Sequence, residues 1–147
     1  MAKKKTKVSL KAKKETVQTS QSSSNSKVIW VFDQIDRAGK FAFDTSRKEF
    51  NHKVVLDKMI SYSGMTWSEV LSQTHDDGKS KNHLLDYEKL SREAKERIDT
   101  LKLNDDNDRI FSFALLNKLR IIGLRDKEKF FVKWYDPWHE FYPSTKK

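Results

Sequence analysis

The stretch "KLRIIGLRDKEKFFVKWYDPWHEFYP", Lys118 to Pro143, decides the fold. "RIIGL" and "FFVKWY" are rich in β-branched and aromatic residues, and the polar "RDKEK" between them supplies a turn, so the stretch reads as a β-hairpin. Its second strand runs into "WYDPWHEFYP", ten residues holding two Trp, two Tyr, a Phe, a His, an Asp and a Glu. Such a concentration is either a corner that caps the core or a working surface.

Alternate residues of a strand share a face. Lys118, Arg120 and Ile122 fall on one face of the first strand. Phe131, Lys133 and Tyr135 fall on one face of the second, and Phe130, Val132 and Trp134 on the other. Pairing the polar sides gives a face bearing Arg120, Lys133 and Tyr135, with Arg125 at the turn, while the apolar sides meet the helices. Cations beside a phenol on a half-open sheet hold and polarise a phosphodiester. His139, three residues after Asp136, is placed to exchange a proton with a 2′-hydroxyl or a leaving 5′-oxygen. That chemistry needs neither metal nor cofactor. The expected catalytic residues are therefore His139, Tyr135 and Arg120, with Arg125, Lys133 and Lys118 as nucleic-acid contacts. A structural reading stands beside this one. In it Asp136 accepts backbone N–H bonds, Pro137 fixes a turn, and the aromatic residues cap the core.

Upstream, "RIFSFALL" supplies the first strand of a three-stranded antiparallel meander. "LDYEKLSREAKERIDTLKL" reads as a helix, with Ser91 as N-cap and Leu90, Ala94 and Ile98 four residues apart. Residues 74–83, "THDDGKSKNH", form a loop by composition. The pair "TWSE" matches a capping box, Thr66 with Glu69, before a short helix. "FNHKVVLDKMISYSG" is a further helix stopped at Gly64. "KVIWVFDQI" from Lys27 is a strand apolar on both faces and so expected at the centre of the sheet, and "FAFD" a short paired strand. The expected architecture is α+β: an antiparallel meander of four to five strands with two to three helices packed on one face.

The net charge of +9 is unevenly placed. Residues 1–26 hold seven lysines against one glutamate, +6 of that total, and then turn Ser-rich. They are expected to form a disordered tail before a single domain, 27–147. Lys3, Lys4 and Lys5 lead the tail, which suits loose electrostatic contact with RNA or DNA, or simple solubilisation. No apolar stretch follows the initial charges and no apolar run reaches eighteen residues, so neither a signal peptide nor a membrane span is expected. The absence of cysteine excludes disulfides and thiolate chemistry and fits the cytoplasm. With four glycines there is no dinucleotide or phosphate loop, and no nucleophile elbow occurs. "HDD" at 75–77 with His83 is ordinary turn chemistry as well as a candidate ligand set, and no metal is expected.

Two resemblances follow from these residues. Trp134, Asp136, Pro137, His139, Tyr142 and Pro143, with Gly123 in the preceding strand, resemble the C-terminal block W-x-D-P-x-H-x-x-Y-P of a group of small uncharacterised bacterial and mobile-element proteins. The likeness extends over residues 27–143. The order strand, two helices, meander resembles the RelE/ParE toxin superfamily, whose members cut ribosome-bound mRNA or poison gyrase. That second resemblance implies a RelE-like fold, mRNA endonuclease activity in a toxin–antitoxin system, a protein antitoxin as partner, and roles for Arg120, Arg125, Lys133, Tyr135 and His139. From another class, the same features fit a non-catalytic phage or mobile-element accessory protein that binds a host protein or nucleic acid.

Overall fold

The computed structural model describes residues 23–144. The tail expected over 1–26 lies mostly outside them. Its last residues belong to the fold: Ser23–Asn25 make a 3-10 turn, and the Ser26 carbonyl accepts from the Trp67 amide at 2.9 Å.

Five strands form one sheet: β1 (Ile29–Val31), β2 (His83–Leu84), β3 (Ile110–Ala114), β4 (Arg120–Asp126) and β5 (Lys129–Asp136), in the order β1-β5-β4-β3-β2. The meander β3-β4-β5 is antiparallel as expected, and β2 adds antiparallel to β3. The sheet as a whole is mixed, because β1 pairs parallel with β5. β1 is also an edge strand of three residues, with Ile29 46% exposed, rather than the central strand its apolar run suggests. "FAFD" forms no strand. Only Ala42 bridges to Trp134.

The helices are α1 (His52–Ser63), α2 (Trp67–Ser72) and α3 (Arg92–Thr100). Each begins where the sequence supplies a cap. Asn51 accepts from the Val54 amide, Thr66 and Glu69 close both halves of a capping box, and Ser91 accepts from the Ala94 amide. They cover both faces of the sheet, not one. Val55, Met59, Tyr62, Trp67 and Val70 of α1 and α2 pack on Phe111, Phe113, Ile121, Phe130 and Val132. Ala94 and Ile98 of α3 pack with Phe141 on Ile110, Ile122, Leu124 and Trp134. The reason is visible in β3, where all five residues are buried. Two apolar sheet faces must both be covered, since each large side chain sealed from water stabilises by about 1.5–3 kcal/mol.

One irregularity sets the facing of everything after it. Ile122 pairs with Trp134, but Gly123 pairs with Val132, so Lys133 is an extra residue on β5. Gly123 permits the bulge. A Cβ built there would lie 2.0 Å from the Phe131 carbonyl oxygen, too close for any side chain. Beyond the bulge the side-chain alternation of β5 is inverted.

Candidate functional site

α3 has nine residues and is therefore about 13 Å long. It covers one part of its sheet face and leaves another part to loops. Across that part the strands align His83 with Ser112, Ser112 with Ile122, Ala114 with Arg120, and Arg120 with Asp136. Residues 74–83 close over it from one side and residues 137–143 from the other. Between them lies a pocket of about 40 Å³ bounded by His75, Lys81, His83, Arg120, Asp136 and His139.

Each wall is held for an identifiable reason. Asp136 is 1% exposed and accepts from the amides of Glu140 (3.0 Å) and Phe141 (2.8 Å), which folds the chain back on itself after β5. Burial pushes its carboxyl above the usual value, against those amide bonds and the nearby His139. The fold-back puts His139 at φ 60°, a left-handed backbone that few residues other than glycine adopt. Burial first, then Arg120, depress the His139 imidazole below its ordinary 6.5, so it is neutral at pH 7. Arg120 donates through Nη1 to the carbonyls of Asn117 (2.6 Å) and Leu119 (3.1 Å). Its Nε and Nη2 make no hydrogen bond to the described residues, leaving the side-on edge that grips a phosphate or carboxylate in two places. Burial lowers its pKa and Asp136 opposes the shift.

The opposite wall is anchored by Asn82, which is fully buried. Its Oδ1 accepts from the Ala114 amide at 2.9 Å and lies 3.1 Å from the Tyr62 hydroxyl. Its Nδ2 donates to the Val70 carbonyl at 2.9 Å. Lys81 and His83 flank this anchor and line the pocket. The His83 ring bonds the Leu84 carbonyl through Nδ1 at 2.9 Å, so Nδ1 carries the proton and Nε2 is left for other partners.

The residues singled out by sequence are only partly brought together. Arg120 and His139 share the pocket. Tyr135 does not join them, because the extra residue Lys133 turns it to the opposite face. There its ring stacks on Phe50 at 4.4 Å, and its hydroxyl accepts from the Asn51 amide and donates to the Glu49 carbonyl. Lys133 is buried and donates to the Gln34 carbonyl, with burial lowering its pKa. Arg125 also lies on the α1–α2 face. It sits 3.9 Å over the Trp67 ring and donates to the Lys127 carbonyl, and burial pushes it down to about 10. The basic face expected from strict alternation is therefore dispersed: the bulge breaks the period that would have assembled it. Lys118 is exposed in the β3–β4 turn, beside Trp138 and Leu116. Lys3, Lys4 and Lys5 lie outside the described residues. The structural reading of the aromatic corner holds for two of its residues. Asp136 does cap a turn and Phe141 is core, while Trp138 is 60% exposed.

Lys81 and Tyr142 also line the pocket, as do His75 and His83, which the sequence marks as part of a candidate ligand set that is also ordinary turn chemistry. β2 is two residues long, too short for propensity to reveal. The available signal was a pair of histidines bracketing a polar loop. No group of three or more His, Cys, Asp or Glu able to hold a metal ion occurs among the described residues. Among them, no helix is long and apolar enough to cross a membrane. Comparison with protein-family models, curated proteins and solved structures gave no match.

Proposed function

We propose that the chain acts on RNA and cleaves phosphodiester bonds at the pocket formed by Arg120, Asp136, His139 and His83, in a toxin-like role. One observation carries this reading: Arg120, whose Nε and Nη2 have no hydrogen bond among the described residues, and His139 line one small pocket. Arg120 holds the phosphate. His139 accepts the proton of the 2′-hydroxyl as its oxygen bonds phosphorus, and His83 in its doubly protonated form, with Nδ1–H kept on the Leu84 carbonyl, gives the Nε2 proton to the 5′-oxygen as the P–O5′ bond breaks. The products are a 2′,3′-cyclic phosphate and a 5′-hydroxyl. Tyr135 has no part in this scheme, and Lys133 and Arg125 serve the core. The resemblance to RelE/ParE proteins extends the proposal to ribosome-bound mRNA as substrate and a protein antitoxin as partner, in the cytoplasm.

The test is induced expression in a bacterial host, wild type against His139→Asn and Arg120→Ala, with mRNA ends mapped in the same cells. Growth arrest with new mRNA ends, lost in both variants at equal protein level, supports the reading. Normal growth and unchanged mRNA with abundant folded wild type overturns it. The second reading, a non-catalytic binding protein, is favoured by Trp138 and Leu116, both about half exposed or more beside one shallow hollow. In that case Trp138→Ala, and not His139→Asn, abolishes the cellular effect.

A further inference from the structure

The small pocket is not isolated. On one side it shares His75 and Lys81 with a hollow of about 320 Å³ between the end of α1 and residues 73–76. On the other it shares His75, His83, His139 and Tyr142 with a hollow of about 470 Å³. The three run in series, with His75 lining all of them. Their sizes differ in kind. A water needs roughly 10–15 Å³ of free space, so the middle pocket, at about 40 Å³, holds about three water-sized groups, which is the scale of a phosphoryl group. The flanking hollows are in the range of small-molecule sites.

Their chemistry differs too. The hollow beside α1 is lined by Gln73, Asn117 and Ser61, with one acidic residue, Asp76, and the basic residues Lys58 and Lys81. The amides of Gln73 and Asn117 make no side-chain hydrogen bond to the described residues. Each offers a donor and an acceptor on one planar group, the pattern that matches a base edge. The hollow beyond His139 presents Lys79 and Lys89, the carboxylate of Asp77, and the ring of Tyr142, whose centroid is 5.9 Å from that of His83. Cations and a ring face track a backbone and stack bases without reading them.

We propose that the three hollows are one groove for single-stranded RNA. The middle pocket takes the scissile phosphate. The hollow beside α1 takes one base whose identity Gln73 and Asn117 read, and the other hollow takes the neighbouring nucleotide with little preference. This rests on the cleavage reading above and names its subsites.

The experiment is cleavage of a randomised single-stranded RNA pool by the full chain, with all new ends sequenced. Wild type is expected to show a preference of roughly tenfold or more at one nucleotide beside the cut. In the double variant Gln73→Ala, Asn117→Gly that preference falls below about threefold, while the cuts still end in cyclic phosphate, because glycine keeps the left-handed backbone (φ 52°) whose carbonyl holds Arg120. Lys79→Ala with Lys89→Ala weakens RNA binding evenly across sequences, reduces its salt dependence, and leaves the preference in place. Both pairs are at the surface, and circular dichroism checks that the variants fold. Cutting with the same preference in wild type and the amide variant overturns the subsite assignment and leaves the cleavage reading standing. No cutting by folded wild type, with ribosomes added as well as without them, overturns both.

Discussion

Replacing Asn82 with Ala removes the anchor between the loop and the sheet, and its cost can be worked from the bonds it makes. Truncation leaves the Ala114 amide without its 2.9 Å acceptor in a fully buried setting. The Val70 carbonyl loses its 2.9 Å donor and keeps only the long 3.4 Å bond from the Gln73 amide. The Tyr62 hydroxyl is less affected, since it retains the Ala114 carbonyl at 2.6 Å. A buried polar group left unpaired costs about 1–3 kcal/mol. One full loss and one partial loss therefore give about 3 kcal/mol, a large share of the 5–15 kcal/mol typical of a domain. Urea unfolding followed by Trp fluorescence reads this directly. At a slope near 2 kcal/mol per molar urea, the midpoint falls by roughly 1.5 M. Asn82→Asp keeps the acceptor for Ala114 but turns an oxygen toward the Val70 carbonyl. Burial raises that carboxyl, so the variant's deficit shrinks as pH falls from 7 toward 5. A loss below about 1 kcal/mol for Asn82→Ala, with no pH trend for Asn82→Asp, would refute the anchoring argument.

Gly123→Ala forces a Cβ against the Phe131 carbonyl, so the bulge must shift; the expected cost is about 3 kcal/mol in denaturant titration, well beyond an ordinary strand Gly→Ala change. Arg97→Ala leaves the buried Asp36 carboxylate without the two 2.7 Å bonds that hold it below the usual range against burial. This costs about 3 kcal/mol at pH 7 in the same assay, and less in acid, where the buried carboxyl, left with the Ala38 amide and Trp134 Nε1 as its only donors among the described residues, takes up a proton. In wild type that ion pair contributes its stability above the unfolded value of 3.8, and the contribution is lost as pH falls through the lower folded value. His139, depressed below 6.5, binds its proton less readily in the folded state, so stability falls as pH drops below 6.5. His139→Asn, which tolerates the left-handed backbone, flattens that limb of a stability-against-pH series. The acid limb of RNA cleavage, set by the same imidazole, is expected below pH 6.5 in rate measurements.

What could be read from sequence was whatever depends on local order. The caps at Thr66 and Ser91 and the Gly64 stop lie within four residues of the contacts they make, and each is where composition put it. The β3-β4-β5 meander was legible because hairpins are local. β1 was misplaced because parallel pairing with β5 joins residues a hundred positions apart, and an apolar run does not say whether a strand is central or at an edge. The site was half legible for one reason. Arg120 precedes the bulge at Lys133, and Tyr135 follows it. Nothing in "FFVKWYD" announces the extra residue; only Gly123, on the neighbouring strand, makes room for it. His83 was hidden because it enters the site through a two-residue strand fixed by the buried Asn82, a partner whose bonds reach 12 and 32 residues away.

The central claim is that Arg120 and His139 form a phosphodiester-cleaving pair from which Tyr135 is excluded. It is tested most directly with the purified full chain on end-labelled single-stranded RNA, with and without ribosomes, comparing wild type, Arg120→Ala, His139→Asn and Tyr135→Phe. The account predicts 2′,3′-cyclic phosphate ends from wild type and from Tyr135→Phe, and a loss of at least a hundredfold in rate for the other two. Absence of cleavage by folded wild type under both conditions would contradict it. So would cleavage that survives in His139→Asn and is lost in Tyr135→Phe.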